Sequence, residues 1–352
     1  VETVIGPHDQ WIIQALQLDG RASFERIGRA VGLPAQTVAR RYRRMRAAGT
    51  VRVVGRSPYW AVGATPWLLR IRCTPDRTDR LARALAGQRA TTWVRAGAGG
   101  EIVCGLRAGT PDEEERLLAA LDRTPRVVNL AAYRILHRFR DGRSPWHGWP
   151  APLGAERAAL LAPGTPPAPT PDTPAGPGSP PGRPRRPELG GVDRGLLTAL
   201  AVDGRTPVSD LAVRVGVSES AARRRLRALC AAGILHFEVD FDPRAVGLRT
   251  EAMLWLTVAP SALAAVGDTL AAHPDVTFAA ATSGPVSLAV SVLLPDPPAV
   301  YAHLTGTVGR IPAVTRADTT IFTRTYKRRG DPPLPPPAPA GRSLSGVPRR
   351  GG

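Results

Sequence analysis

Two arginine-rich stretches carry the most chemistry in this chain: SESAARRRLRALCAAG from Ser218 to Gly233, and PAQTVARRYRRMRAAG from Pro34 to Gly49. A guanidinium is a permanently charged planar fork of N–H donors, suited to phosphate oxygens and to the O6 and N7 edge of guanine. In the later stretch Ala222, Leu226 and Leu229 fall at i, i+4 and i+7, one narrow stripe to bury. Arg223, Arg224, Arg225 and Arg227 occupy the remaining faces, and Ser218 is placed to cap the helix. The earlier stretch repeats the plan, with Val38, Tyr42 and Met45 as the stripe and Arg40, Arg41, Arg43, Arg44 and Arg46 around it. A solvated helix usually alternates its charges. These two do not, and that predicts a polyanionic partner, double-stranded DNA.

Such helices need elements to hold them, and an internal repeat supplies these. Asp9, Asp19-Gly20-Arg21, Val31-Gly32, Arg40-Arg41, Arg43 and Ala47 to Gly49 recur at constant offset as Asp193, Asp203-Gly204-Arg205, Val215-Gly216, Arg224-Arg225, Arg227 and Ala231 to Gly233. In the first copy Ile12, Ile13, Ala15 and Leu16 predict one amphipathic helix, and Phe24, Ile27 and Val31 a second, which Gly32 ends. A short helix, tight turn and basic helix make a helix-turn-helix, the unit that lays its second helix in the major groove. The β-prone runs Thr50 to Val54 and Ile234 to Phe241 then read as wings. From Trp67 and again from Ala252, strands and helices succeed one another as βαββαβ, with helices on one sheet face only, so that the bare face wants a partner.

The predicted fold class is α+β: two winged helix-turn-helix domains, each followed by a ferredoxin-like βαββαβ domain, which the family resemblance described below makes an effector/oligomerisation domain. The expected boundaries are 5–63 and 64–142, a Pro/Gly-rich linker at 143–190, then 191–247 and 248–328, and a disordered tail at 329–352. PAPTPDTPAGPGSPPGRPRRP cannot build a core.

Totals add less than clustering does. The net charge of +18 suits a polyanionic partner, but of the 47 basic residues all but Lys327 are arginine in an Ala-, Gly- and Pro-rich chain, as GC-rich codons would also give. Cys73, Cys104 and Cys230 have neither metal-ligand spacing nor a disulfide framework, which fits a reducing cytoplasm. No run is long and apolar enough for a membrane span, and no membrane partner is expected. The six histidines are scattered without Cys or carboxylates at ligand spacing, so no catalytic set, metal or cofactor is predicted.

The ordered series Asp193, Leu196-Leu197, Leu200, Asp203-Gly204-Arg205, Leu211-Ala212, Val215-Gly216-Val217-Ser218, Arg225, Leu229, Gly233-Ile234 and Gly247 resembles the Lrp/AsnC family of prokaryotic transcription regulators. The first half is similar, with Pro34 in place of the capping serine and Thr50 in place of an aliphatic residue. The resemblance implies a duplicated form, in which two fused copies imitate the usual dimer, as an internal pseudo-dimer or a homodimer, through paired ferredoxin-like sheets. It also implies operator binding. Gln36, Thr37 and Arg40 in one helix and Ser220, Arg223 and Arg224 in the other are the candidates for base edges. Arg43, Arg44 and Arg227 suit phosphates, and Arg41 and Arg225 suit either phosphate or structure. Because the helices differ at Gln36/Ser220, Thr37/Ala221 and Ala39/Arg223, unlike half-sites are expected.

In the family an amino-acid effector lies near the turn between the second and third ferredoxin-like strands, at a Gly followed by an Asp. Here the candidates are Gly97, Gly99 and Glu101 in one half and Thr282, Ser283 and Gly284 in the other, and the acidic group is displaced in the first and replaced by Ser287 in the second. Two alternatives stand beside the regulator. Tandem proteins of similar build decarboxylate siroheme-type tetrapyrroles, and His236 with Met253-Leu254-Trp255 resembles them weakly; a metabolite-sensing module without DNA binding is the other.

Overall fold

The computed structural model describes residues 4–108, 110–124, 126–161 and 187–328. In the first half, α1 (Pro7–Leu18), α2 (Phe24–Val31) and α3 (Ala35–Ala47) form the helix-turn-helix, followed by β1 (Val51–Arg56) and a short α4 (Tyr59–Val62). Ser23 caps α2 by accepting from the Arg26 N–H, and Gly32 ends it at φ +73°, where any side chain would be strained. Then come β2 (Thr65–Cys73), α5 (Thr78–Gly87), β3 (Thr91–Gly97), β4 (Glu101–Ala108), α6 (Pro111–Asp122) and β5 (Val127–Arg140). After a short α7 (Ala155–Ala159) the plan repeats. Its second copy is α8 (Gly191–Val202), α9 (Val208–Val215), α10 (Glu219–Ala231), β6 (His236–Phe241), β7 (Thr250–Val258), α11 (Leu263–Ala272), β8 (Val276–Thr282), β9 (Leu288–Leu294), α12 (Pro297–Gly306) and β10 (Val314–Lys327).

The strands expected to act as wings differ from that reading. β1 and β6 pair antiparallel with each other, from Val51 opposite Phe241 to Arg56 opposite His236. Their apolar faces find a larger surface in this shared ribbon, which lies between the two helix-turn-helix units, than either would flanking DNA. Gly20 and Gly204 seat the two Asp-Gly-Arg turns on it: a Cβ at Gly20 would lie 2.7 Å from the Phe237 Cβ, and the Gly204 N–H donates to the Val53 carbonyl at 2.8 Å.

The eight remaining strands close into one ring, ordered β10-β3-β4-β2-β5-β8-β9-β7. Each half contributes four neighbours, and the last strand of each half joins the other: β5 pairs β8, and β10 pairs β3. Alternation along the strands explains why. On β7, Ala252, Leu254 and Leu256 pack under the helices, while Met253 and Trp255 point the other way and meet Leu68, Val103 and Tyr133 of the first half. Both faces are apolar, so the bare face of each sheet is covered by its counterpart. Phe139 of β5 reaches across to α11, where its ring leaves no room for a Cβ at Gly267.

The start of the expected linker is packed rather than extended. Trp146, Trp149, Leu153 and Leu161 are buried against the first helix-turn-helix. Three glutamines of α1 hold this strap: Gln17 accepts from Trp149 Nε1 at 3.1 Å, Gln14 accepts from the Leu153 N–H at 2.8 Å, and Gln10 accepts from the Ala151 N–H at 3.2 Å. Most of the Pro-rich stretch, and the expected tail, lie outside the described residues.

Candidate nucleic-acid interface

Val38, Tyr42 and Met45 of α3 and Ala222, Leu226 and Leu229 of α10 are all buried, which fixes the direction each arginine takes. Ser218 caps α10 by accepting from the Ala221 N–H at 3.3 Å, whereas Pro34 provides no side-chain cap for α3.

The arginines then sort into two classes. Arg41 and Arg44 donate to the two oxygens of Asp9, at 3.0 and 2.7 Å, and Arg225 grips Asp193 with Nε and Nη2. Each carboxylate sits in the first turn of α1 or α8, so the basic helix is pinned to the helix that supports it. The hydrogen bond from Arg225, more than offsetting burial, holds the Asp193 carboxyl below the usual carboxylate range. Arg46 reaches Asp203 of the other half at 2.8 Å, and Arg223 pairs with Glu219 one turn back on its own helix. Arg40 and Arg43 on α3, and Arg224 and Arg227 on α10, are exposed and face no carboxylate among the described residues. They occupy the same two positions of the repeat. Gln36 and Ser220 are exposed beside them, Thr37 is half-buried, and the Ser220 hydroxyl lies 3.1 Å from that of Ser218.

Arg44, read from sequence as a phosphate contact, and Arg41 and Arg225, read as either phosphate-binding or structural, therefore have internal partners. For Arg41 and Arg225 that partner is the Asp in the first turn of α1 or α8.

A second feature went unread. The Arg21 guanidinium donates to the carbonyls of Gly204 and Thr206, at 2.6 and 3.1 Å, and Arg205 returns the contact to Gly20 and Ala22, at 2.8 and 2.9 Å. Burial disfavours the charge on both, and the nearby Arg205 adds to this for Arg21. This reciprocal clasp sets the spacing of the two basic helices. The only signal for it was the recurrence of Asp-Gly-Arg itself.

At the expected effector turns, Gly99 and Gly284 adopt φ +68° and +89°, a conformation that favours glycine. Gly97 is buried against β10. Glu101 does not face an open site: its carboxylate accepts from Arg70 Nε and Nη2 at 2.9 and 3.1 Å and also from the Thr320 hydroxyl. Glu101, an effector-site candidate by sequence, is thus already paired inside the protein. Arg70 also binds Asp318 at 2.6 Å, and these bonds outweigh burial to raise its pKa. Thr282 donates to the Val286 carbonyl at 2.7 Å, and Ser283 exchanges two hydrogen bonds with Arg134 of β5. Both turns therefore lie on seams between the halves.

Between the ribbon and the ring, a cavity of about 160 Å³ is lined by Val54, Glu238 and Phe241 on the ribbon side and by Trp93, Arg95 and Glu251 on the other. Burial raises the Glu251 pKa although Arg95 lies 2.8 Å away. A smaller cavity of about 60 Å³ is lined by Arg56, Arg107, Arg138, Arg143 and His236. His236 Nε2 lies 3.1 Å from Glu238. Burial drives the Cys104 thiol up to about 12, unsuitable for a nucleophile.

Residues 8–46 and 191–229 match the AsnC-type helix-turn-helix domain, and residues 251–332 match the Lrp/AsnC ligand binding domain. The chain is 25% identical over 144 residues to the HTH-type transcriptional regulator FL11 of Pyrococcus horikoshii, covering 41% of this chain and 95% of the relative. It is 40% identical over 76 residues to the regulator AldR of Mycolicibacterium smegmatis, 21% of this chain and 44% of the relative. Among solved structures, the siroheme decarboxylase NirDL superposes with a TM-score of 0.59 at 14% identity, covering 91% of this chain and 92% of that one. That likeness is one of fold. No helix among the described residues is long and apolar enough to cross a membrane.

Proposed function

Since the chain belongs to the Lrp/AsnC family, in a tandem form with two AsnC-type helix-turn-helix domains and an Lrp/AsnC ligand-binding domain, we propose that it is a sequence-specific DNA-binding transcription regulator. The observation that carries this is the sorting of arginines. The same two positions in each helix, Arg40 and Arg43, Arg224 and Arg227, are exposed with no carboxylate in reach among the described residues. Arg40 and Arg224, nearer the helix N-terminus, take base edges with Gln36, Thr37 and Ser220; Arg43 and Arg227 take phosphates. Arg223 exchanges Glu219 for DNA at modest cost, because exposed pairs contribute little.

A metabolite of amino-acid type modulates this binding. Its site lies at the seams around Gly97 and Gly99 and around Thr282, Ser283 and Gly284, where both halves contribute, and its binding shifts the ring against the ribbon across the cavity between them. The test is selection of bound fragments from the source genome, then salt titration of the best site with and without candidate amino acids. A defined site with a steep salt slope supports the reading, and no enrichment at moderate salt overturns it.

A second reading keeps the fold but not the DNA: a tetrapyrrole decarboxylase, favoured by the full-length likeness to NirDL and by the arginines around His236 in the smaller cavity. Iron-uroporphyrin III offered to the purified chain distinguishes them. Tight binding that depends on His236, together with absent DNA binding, replaces the first reading.

A further inference from the structure

The fold brings together three residues that the sequence keeps apart. His273 and Asp275 lie in the turn between α11 and β8, and His303 lies in the last turn of α12. One ligating atom of each lies within 4.8 Å of the others. His303 is buried, its side chain only 1% exposed, with Nδ1 3.1 Å from Asp275 Oδ2; His273 Nδ1 is 3.6 Å from the same oxygen. We propose that His273, Asp275 and His303 form a binding site for a borderline transition-metal dication of the Zn²⁺ type, with a fourth position open to solvent.

The argument is one of lone pairs. A neutral imidazole has one donor and one acceptor nitrogen. If His303 Nδ1 carries the proton it donates to Asp275, but Nε2, buried with no partner, keeps an unused lone pair. If Nε2 carries the proton, the Nδ1 lone pair faces a carboxylate. A cation held by Nδ1 relieves the repulsion in the second form, with the Nε2–H left without a partner among the described residues. His273 Nε2 lies 3.3 Å from the Thr307 hydroxyl, and its Nδ1 accepts from the Asp275 N–H at 3.3 Å, an acceptor lone pair that a cation would take over. Tetrahedral Zn²⁺ with N and O ligands at 2.0–2.2 Å separates its ligands by about 3.4 Å. The two His–Asp separations, 3.1 and 3.6 Å, bracket that value, and the two imidazole nitrogens lie within 4.8 Å of each other, so that the rings must close on the ion. Two nitrogens with one oxygen select this metal class over Mg²⁺ or Ca²⁺, which take oxygen ligands.

The site belongs to one half only. The matching positions of the first copy, at the end of α5 and within α6, are Gln88, Ala90 and Leu117, which offer no set of ligands. A metal here ties the ends of α11 and α12 together across the outer layer of the second sheet.

The experiment is a titration of the full chain with Zn²⁺ by calorimetry and with Co²⁺ by visible absorption. The expected result is one metal per chain, a tetrahedral Co²⁺ spectrum, and a rise in melting temperature with Zn²⁺. His273→Ala and Asp275→Asn, both partly exposed and tolerable to the fold, lower affinity at least tenfold and abolish the spectrum and the thermal shift. His8→Ala, remote from the cluster, leaves all three unchanged. Absence of stoichiometric binding to the unaltered chain overturns the proposal, as does binding undiminished in His273→Ala and Asp275→Asn.

Discussion

The two helix-turn-helix units are built from one plan but are held differently. The second is secured by a single bidentate pair, Arg225 on Asp193, beneath an α8 whose outer side keeps Val202 exposed. The first has Arg41 and Arg44 on Asp9 and is also overlaid by the strap of Trp146, Trp149 and Leu153, fastened by glutamines 10, 14 and 17. The difference separates two uses of charge. Arg41 and Arg225 occupy equivalent positions and anchor the recognition helix in both copies, whereas Arg44, whose counterpart is Ala228, does so in the first alone. The strap is an addition to one copy, and it makes that copy the more rigid platform of the pair.

The comparison can be broken most forcefully at the strap. Trp149→Ala removes a buried indole and its bond to Gln17, which should cost about 3–5 kcal/mol and raise amide exchange in α1 to α3 much more than in α8 to α10. Equal exchange in both units would mean that the strap stabilises them jointly. Next comes the clasp that joins them. Arg205→Ala leaves two carbonyls of the first half without their charged donor, an expected loss of about 2–3 kcal/mol in urea denaturation. DNA affinity should fall with it, through lost spacing rather than lost contact, so the salt slope should stay nearly constant.

The exposed arginines of α10 give a smaller effect. Arg224→Ala should cost about 1–3 kcal/mol of specific binding with stability unchanged, and Arg227→Ala should reduce the salt slope by about one. Arg225→Ala should do the reverse, lowering stability more than discrimination. The smallest effect is a pH dependence. The Asp193 carboxyl is held below its unfolded value of about 3.9, so its contribution is complete above that value and disappears as pH falls through the lowered one. Asp193→Asn should therefore be less stable at neutral pH but show a shallower decline on acidification, measured by thermal melts across that range.

The helical elements were legible in the sequence because their period is local. Arg40 and Arg41 could not be separated by residue type, since one step of about 100° around the helix is what points one outward and the other at Asp9. The ribbon and the ring seams were not legible. The partner of β1 is β6, far along the chain, and nothing in Val51 to Arg56 names it. The strap was hidden by composition: proline around Trp146 and Trp149 read as linker, although Gln10, Gln14 and Gln17 at helical spacing marked a polar stripe awaiting bonds. The partners of Glu101 were not legible either, because Arg70 and Thr320 reach it from other strands.

The closed ring has a consequence for how the molecule is made. Until β8 and β10 have been synthesised, β5 and β3 are open edges, each a row of unsatisfied backbone groups beside an apolar face. At ribosomal speeds the second half follows on the order of 10 s later. For that interval the nascent first half is a template for any passing strand, including one from a neighbouring nascent chain, so polysomes dense in this message would favour exchange of halves between copies.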